Sequence, residues 1–411
     1  MKTKLNLLAT ALSTLAVLTG SAGAQTADVL HYWTSGSESA ALKIFADAFK
    51  AKGGTWVDSA VGGFDTARAT ALNRIAGGNP PTVLLDNIGE VADFAKQGIL
   101  APVDPEVAKD LTAHLPTVLA QRISIDGKLY AIPVDIGGGN WMWYSTKAFA
   151  DIGAAPPKSW DEFFAEADKL RAKGYIPLAF GGQPWQEASL FYDVLLAQGR
   201  DTYKQITSGH DAKAAGGPAV VKAFEVMRKL TGYVDEGSQG REWNDATALV
   251  MKNKAAIQIM GDWAKGEFLS AGMVPGKDFG CMLAPGTQDA YQMVVDLFDF
   301  PKVSKPDNIA GQKLFEQVIA DPALQAAFGD KKGSLPARLD ADVSKSDICT
   351  QLGQKTLSDP AAQVPNYEFV YTADQEGQVK DLVSQFWSSP DMSAEDAAAA
   401  FSKIVAQSSG N

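Results

Sequence analysis

Apolar and polar positions along this chain follow two alternating rhythms. Val29-Leu-His-Tyr-Trp33 is an apolar run of strand length, and Thr34 to Ser37 is a polar turn containing Gly36. Beyond the turn, Ala41, Ile44, Phe45, Ala48 and Phe49 recur at helical spacing until Gly53-Gly54. Ser35 followed three positions later by Glu38 fits a capping box, in which hydroxyl and carboxylate each satisfy an amide that the helix leaves open. The pattern therefore predicts a strand, a turn and a helix start, with two aromatics and a carboxylate at the carboxyl end of the strand, where open α/β sheets bind ligands.

The same rhythm continues. Thr55–Val61 reads as a strand, Asp65–Ala76 as a helix, Thr82–Leu85 as a short strand and Ile88–Gln97 as a helix, an alternation that predicts a mostly parallel sheet. Asp126-Gly127 predicts a turn between two short apolar runs. Gly137-Gly138-Gly139 feeds the aromatic strand Trp141 to Tyr144, where the chain is expected to pass into a second lobe. Ser159 with Glu162 is a second capping-box pattern, opening a helix that Gly174 closes. Ile176–Phe180 reads as a strand leading to Trp185, and Ala255–Met260 as a strand leading to Gly261-Asp262-Trp263. Tyr291–Phe300 reads as one strand returning to the first lobe, and helices are expected over 309–320, 323–328, 377–386 and 394–406.

Composition narrows the setting. Lys2 and Lys4, the apolar stretch Leu5–Leu18 and Ala22-Gly23-Ala24 form a signal-peptide pattern, so export with cleavage after Ala24 is expected. No cysteine lies near that site to carry a lipid, and no later stretch approaches about 18 consecutive apolar residues, which predicts a periplasmic protein without direct membrane insertion. Losing Lys2 and Lys4 takes the net charge from -11 to -13, which argues against a nucleic acid partner. The two cysteines, Cys281 and Cys349, are expected to pair in an oxidising compartment. Three histidines at 31, 114 and 210 offer neither metal-ligand spacing nor a catalytic set, and no cofactor is expected. Roughly 390 mature residues exceed what one hydrophobic core serves, which predicts two lobes.

Several segments together resemble the extracellular solute-binding proteins of carbohydrate ABC importers, and within them the glucose/mannose-binding branch. They are 29–39, 126–133, 157–163, Gly181-Gly-Gln-Pro-Trp185, Met260-Gly-Asp-Trp-Ala-Lys-Gly-Glu267 and Lys332-Gly-Ser-Leu-Pro-Ala-Arg338. The resemblance implies a two-lobed α/β fold of periplasmic-binding-protein type II, with a multi-strand hinge and a ligand cleft. Lobe 1 would comprise 25–134 and 290–340, and lobe 2 would comprise 135–289 and 341–411. It implies a monomer that closes over a small carbohydrate and presents it to a cognate ABC permease in the inner membrane. By position, Tyr32 and Trp33 would meet the sugar ring, Glu38 would accept hydroxyl bonds, Trp263 would cover the ring from lobe 2, and Asp296, Lys332 and Arg338 would add polar contacts. Pyranose C–H faces suit aromatic rings, and hydroxyls suit charged partners.

Tyr32 and Trp33 point to opposite faces of a regular strand, so one of them belongs to the core; Trp33 is expected in the cleft, with Tyr32 at its edge. Glu38 could serve the capping box alone, Trp263 could be plain core, and Lys332 could be a surface charge. The chain also departs from the branch. Asp86-Asn87 stand where the branch tends to carry lysine, Gly137, Gly138 and Gly139 where it has bulky and basic groups, and Tyr367-Glu368 where it has a late histidine. These changes predict a roomier, more acidic cleft, in which Asp86, Asn87, Gly138 and Tyr367 join the site and glucose itself is doubtful. An exported glycoside-cleaving enzyme is the rival function; it would need two flanking carboxylates at a set separation, and 48 acidic residues make such pairs uninformative.

Overall fold

The computed structural model describes residues 25–407; the signal-peptide pattern and the cleavage site lie outside them. Among the described residues, three larger sheets organise the chain, beside a two-stranded hairpin of Ser124–Ile125 and Lys128–Leu129. In the first, Thr55–Ala60, Thr26–His31 and Val83–Asn87 run parallel, and Asp296–Asp299 then Ala131–Pro133 complete the sheet in antiparallel fashion. The second sheet runs Gly280–Leu283, Trp141–Tyr144, Ala255–Ile259, Ile176–Ala179. It carries most of the helices, among them Trp160–Ala172, Pro184–Leu196, Pro218–Leu230 and Ala373–Ser388. The third is a small sheet in which Asp135–Gly138 and Tyr291–Val294 pair antiparallel, flanked by Leu335–Pro336 and Gln363–Pro365.

This third sheet lies where the chain changes lobes. Ala131–Pro133 of the first sheet continues through Asp135–Gly138 into Trp141–Tyr144 of the second, and Tyr291–Val294 continues directly into Asp296–Asp299. The single strand expected over 291–300 is thus two strands in different sheets. The chain is an α/β protein of two lobes, and among its described residues no helix is long and apolar enough to cross a membrane.

Local chemistry accounts for the element boundaries. Ser35 and Glu38 form the complete capping box expected of them, opening the helix Gly36–Ala51. Ser159 caps the helix Trp160–Ala172 through the Glu162 amide, but the Glu162 carboxylate accepts the Lys158 amide instead, so that box is only half formed. Asp126 and Gly127 both have positive φ (51° and 74°), the backbone that a two-residue hairpin turn requires. The long helix Ala373–Ser388 starts earlier than expected, because Thr372 and Gln375 form a further capping box. Cys281 and Cys349 are bonded, joining the second sheet to the helix Ile348–Leu357.

Candidate functional site

The carboxyl ends of the parallel strands in the two lobes face one another. Tyr32 follows the first strand, Asn87 ends the third, and Trp185 and Asp262-Trp263 follow Ile176–Ala179 and Ala255–Ile259. Asp296 opens its strand opposite Asn87 and so arrives at the same edge.

The centre of the site is an ion cluster. Lys332 ends the helix Pro322–Lys332, where Gly333 takes a left-handed conformation (φ 113°) and turns the chain away. Its ammonium lies 2.9 Å from Asp135 Oδ2, bonds Asp296, and sits 4.6 Å over the Trp33 ring. Asp135 is fully buried and also accepts Ser334 Oγ at 2.7 Å and the Asp296 amide at 3.2 Å. Removing one member of such a buried set leaves an uncompensated charge. Asp135 was not anticipated; its signal in the sequence was one acid inside the otherwise apolar stretch Ala131 to Gly139.

Around this cluster the first lobe presents Tyr32 and Glu38. Tyr32 is partly exposed, packs edge-on to Phe64 at 5.4 Å, and its hydroxyl lies 3.4 Å from Asp296 Oδ1. Glu38 is nearly buried, and burial pushes its carboxyl up to about 7 despite the nearby Lys332 ammonium and the bonds from Ser35. The second lobe presents half-exposed Trp263, whose ring centroid lies 6.5 Å from that of Trp185. Asp262 beside it accepts the Gly138 amide at 2.8 Å, and burial raises its carboxyl to about 7. Hydrogen bonds cross the cleft directly: Glu267 Oε1 accepts both the Ser37 amide (3.0 Å) and Ser37 Oγ (2.7 Å) at the start of the first helix.

Other expected site residues are placed differently. Trp33 is 1 % exposed and packs on Phe298 and Phe328, so the two aromatics exchange roles: Tyr32 borders the cleft while Trp33 underlies Lys332. Arg338 is not a cleft residue. Its guanidinium is spent on Asp340, Asp110, His114 and the Ala320 carbonyl, all within the first lobe, which leaves no donor for a ligand. Tyr367 stacks on Tyr192 at 4.8 Å in the core of the second lobe and is 3 % exposed, so its hydroxyl is withdrawn from the cleft. Asp86 turns inward against the buried Asp299, and burial beside that second carboxyl and Glu90 pushes its own carboxyl well up. Asn87 Oδ1 holds the Gly89 amide of its own turn.

The expected roominess at the glycine triplet is absent. A Cβ at Gly138 would stand 2.5 Å from Trp141 Nε1, and one at Gly137 would stand 2.9 Å from Asp262 Oδ1. The glycines admit neighbouring side chains, which fill the space that bulky residues would otherwise occupy.

Two cavities bear on where the site lies. The larger, about 1030 Å³, lies on the first lobe beside the helices Pro105–His114 and Pro306–Ile319 and touches none of the residues above. The smaller, about 320 Å³, opens between the lobes, with Phe64, Asp65, Arg68 and Glu90 on one wall and Pro184, Ala373, Glu376 and Lys380 on the other. Its position at the strand ends, beside Phe64 and hence Tyr32, makes it part of the candidate site although it is the lesser volume.

Two lobes joined by a small sheet, with aromatics and buried ions facing across the gap, define a solute carrier. The sequence model for bacterial extracellular solute-binding proteins matches residues 33–310, and the chain belongs to that family. It is therefore a carrier and not an enzyme. It is 42 % identical, over 83 % of both chains, to a protein of Rhizobium meliloti named "Probable sugar-binding periplasmic protein". A protein of the same name in Brucella suis is 42 % identical over 82 % of this chain and 79 % of its own. Among solved structures, a chitin oligosaccharide binding protein superposes with a TM-score of 0.78 at 20 % identity, covering 94 % of this chain and all of that one.

Proposed function

We propose that the protein is the periplasmic substrate-binding component of an ABC sugar importer. It takes a mono- or small saccharide between its lobes and delivers it to a membrane permease by lobe closure. The observation that carries this reading is that Tyr32, on the Lys332–Asp296–Asp135 cluster of one lobe, and the Trp263–Trp185 pair of the other stand at the strand ends of their lobes. Stacking surfaces face polar groups, as a polyhydroxylated ring requires. The names of the relatives point the same way.

In this reading Asp296 and Glu38 serve the hydroxyls, buried Asp135 and Lys332 hold Asp296 in place, and Trp263 covers the ring. Ligand that bridges both lobes favours closure by its differential affinity for the closed form. The protein works as a monomer without cofactor, is cleaved after Ala24, and bends at the small sheet between the lobes. Calorimetry with mono- and disaccharides tests this: saturable one-to-one binding without product release is expected, and silence across the panel would refute it.

A further inference from the structure

The cleft is richer in carboxylates than any neutral sugar requires. Tyr32 alone feels Glu368, Asp86, Glu38 and Asp135 from the two lobes. The cations nearby are already engaged: Lys332 by Asp135 and Asp296, Arg68 by Glu90 at 2.8 Å, and Lys265 by Asp347 at 3.1 Å. The acids are less well matched. Glu368 is partly buried with the Lys380 ammonium as the cation that offsets its charge, and its backbone crosses to the first lobe, where a Cβ on Gly89 would lie 2.8 Å from its carbonyl. Glu376 is 5 % exposed and lines the 320 Å³ cavity between the lobes; among the described residues its carboxylate accepts no hydrogen bond and has a 4.0 Å ion pair with Lys380, which Asp65 shares at 3.9 Å. Asp65, Glu90 and Asp381 line the same cavity, against only Arg68 and Lys380. Buried carboxylates without donors are costly unless a ligand supplies them. No three such groups among the described residues converge as metal ligands, so the missing donor is not assigned to a metal.

We propose that the cavity at the seam of the lobes receives a protonated amine of the saccharide, with Glu376 in its wall as the counter-ion and the charge of Glu368 in support. The inference rests on the sugar-carrier reading and names the ligand class within it: an amino sugar with a free ammonium. An ammonium supplies donors to the Glu376 carboxylate, while the rest of the ring lies towards Tyr32 and Trp263.

Calorimetry at pH 7 on the mature protein tests it with glucose, galactose and mannose, their 2-amino-2-deoxy forms, the N-acetylated forms, and calcium chloride. At least one amino sugar should bind tenfold or more tightly than both its neutral parent and its acetylated form, since a charge-assisted bond carries about that factor. Glu376→Gln and, separately, Glu368→Gln should each reduce that ratio to threefold or less. Neutral and acetylated sugars binding as tightly as the amines would overturn the inference and leave the carrier reading standing. So would an amine preference unchanged in both variants, or calcium binding that competes with sugar. A protein silent to every sugar would overturn both. A thermal melt of each variant separates lost binding from lost fold.

Discussion

Replacing Glu267 with alanine removes a carboxylate that reaches from the second lobe to the first helix of the other. The helix Gly36–Ala51 leaves its first amides without intrahelical partners, and Glu267 Oε1 satisfies the Ser37 amide at 3.0 Å and the Ser37 hydroxyl at 2.7 Å. A carboxylate there also meets the positive end of the helix dipole. Hydrogen bonds to a charged group are each worth about 1.5–3 kcal/mol when desolvated, but Glu267 is half-exposed and water replaces both bonds when the lobes part, so about 1.5 kcal/mol is retained for the whole contact. That is roughly tenfold in the closed-to-open ratio. If only the closed form holds sugar, the apparent dissociation constant rises by about the same factor. Tryptophan fluorescence titration with a sugar that binds should show this, and X-ray scattering of the sugar-free variant should show a larger radius of gyration. Ser37→Ala, which keeps the amide bond, should cost about threefold, and the double variant should cost less than the two losses combined. An affinity within twofold of the parent together with an unchanged radius, or losses that simply add, would refute the reasoning.

Lys332→Met leaves buried Asp135 without its cation and should lower stability by about 3–5 kcal/mol in urea unfolding, with Asp135→Asn in the same chain restoring part of the loss. Glu38 titrates near 7 in the folded protein against 4.5 when exposed, so the native state holds its proton longer than the unfolded state. Stability should therefore fall as pH rises from about 4.5 to about 7, and Glu38→Gln should flatten that part of a plot of melting temperature against pH. The Cys281–Cys349 bond spans 68 positions, so its removal by a double alanine substitution should cost about 4 kcal/mol in denaturant unfolding. Trp263→Ala should weaken sugar binding tenfold or more with little loss of stability; an unchanged affinity would assign that ring to packing alone.

Features that rest on neighbours in sequence were legible. The Ser35–Glu38 box, the Asp126–Gly127 turn, the strand–helix alternation and the two-lobed class each follow from spacings of a few residues or from chain length. What distant segments do to one another was not. Arg338 looked available until the fold brought Asp110, 228 positions away, onto its guanidinium. Tyr367 looked like a contact residue until Tyr192 stacked on it. Tyr32 and Trp33 do part between cleft and core, but both lie beyond the strand end at His31, so alternation along the expected strand is not the cause; which of them is core depends on Phe298 and Phe328 arriving from far down the chain. The glycine triplet showed that side chains were missing but could not show that Trp141, Tyr291 and Asp262 would occupy the gap.

The position of Asp296–Asp299 in the first sheet has a consequence for the birth of the molecule. That strand lies between Val83–Asn87 and Ala131–Pro133, so until residue 299 has been synthesised the sheet is split down its middle. Two unpaired strand rows, of the kind that recruit foreign chains, stay open while more than 150 intervening residues are added. The amino-terminal lobe therefore cannot close before residue 299, although its first strand is made at once, and a nascent chain halted between the strands Ala131–Pro133 and Asp296–Asp299 leaves that lobe half built. Truncations within that span should yield aggregates rather than a free-standing lobe.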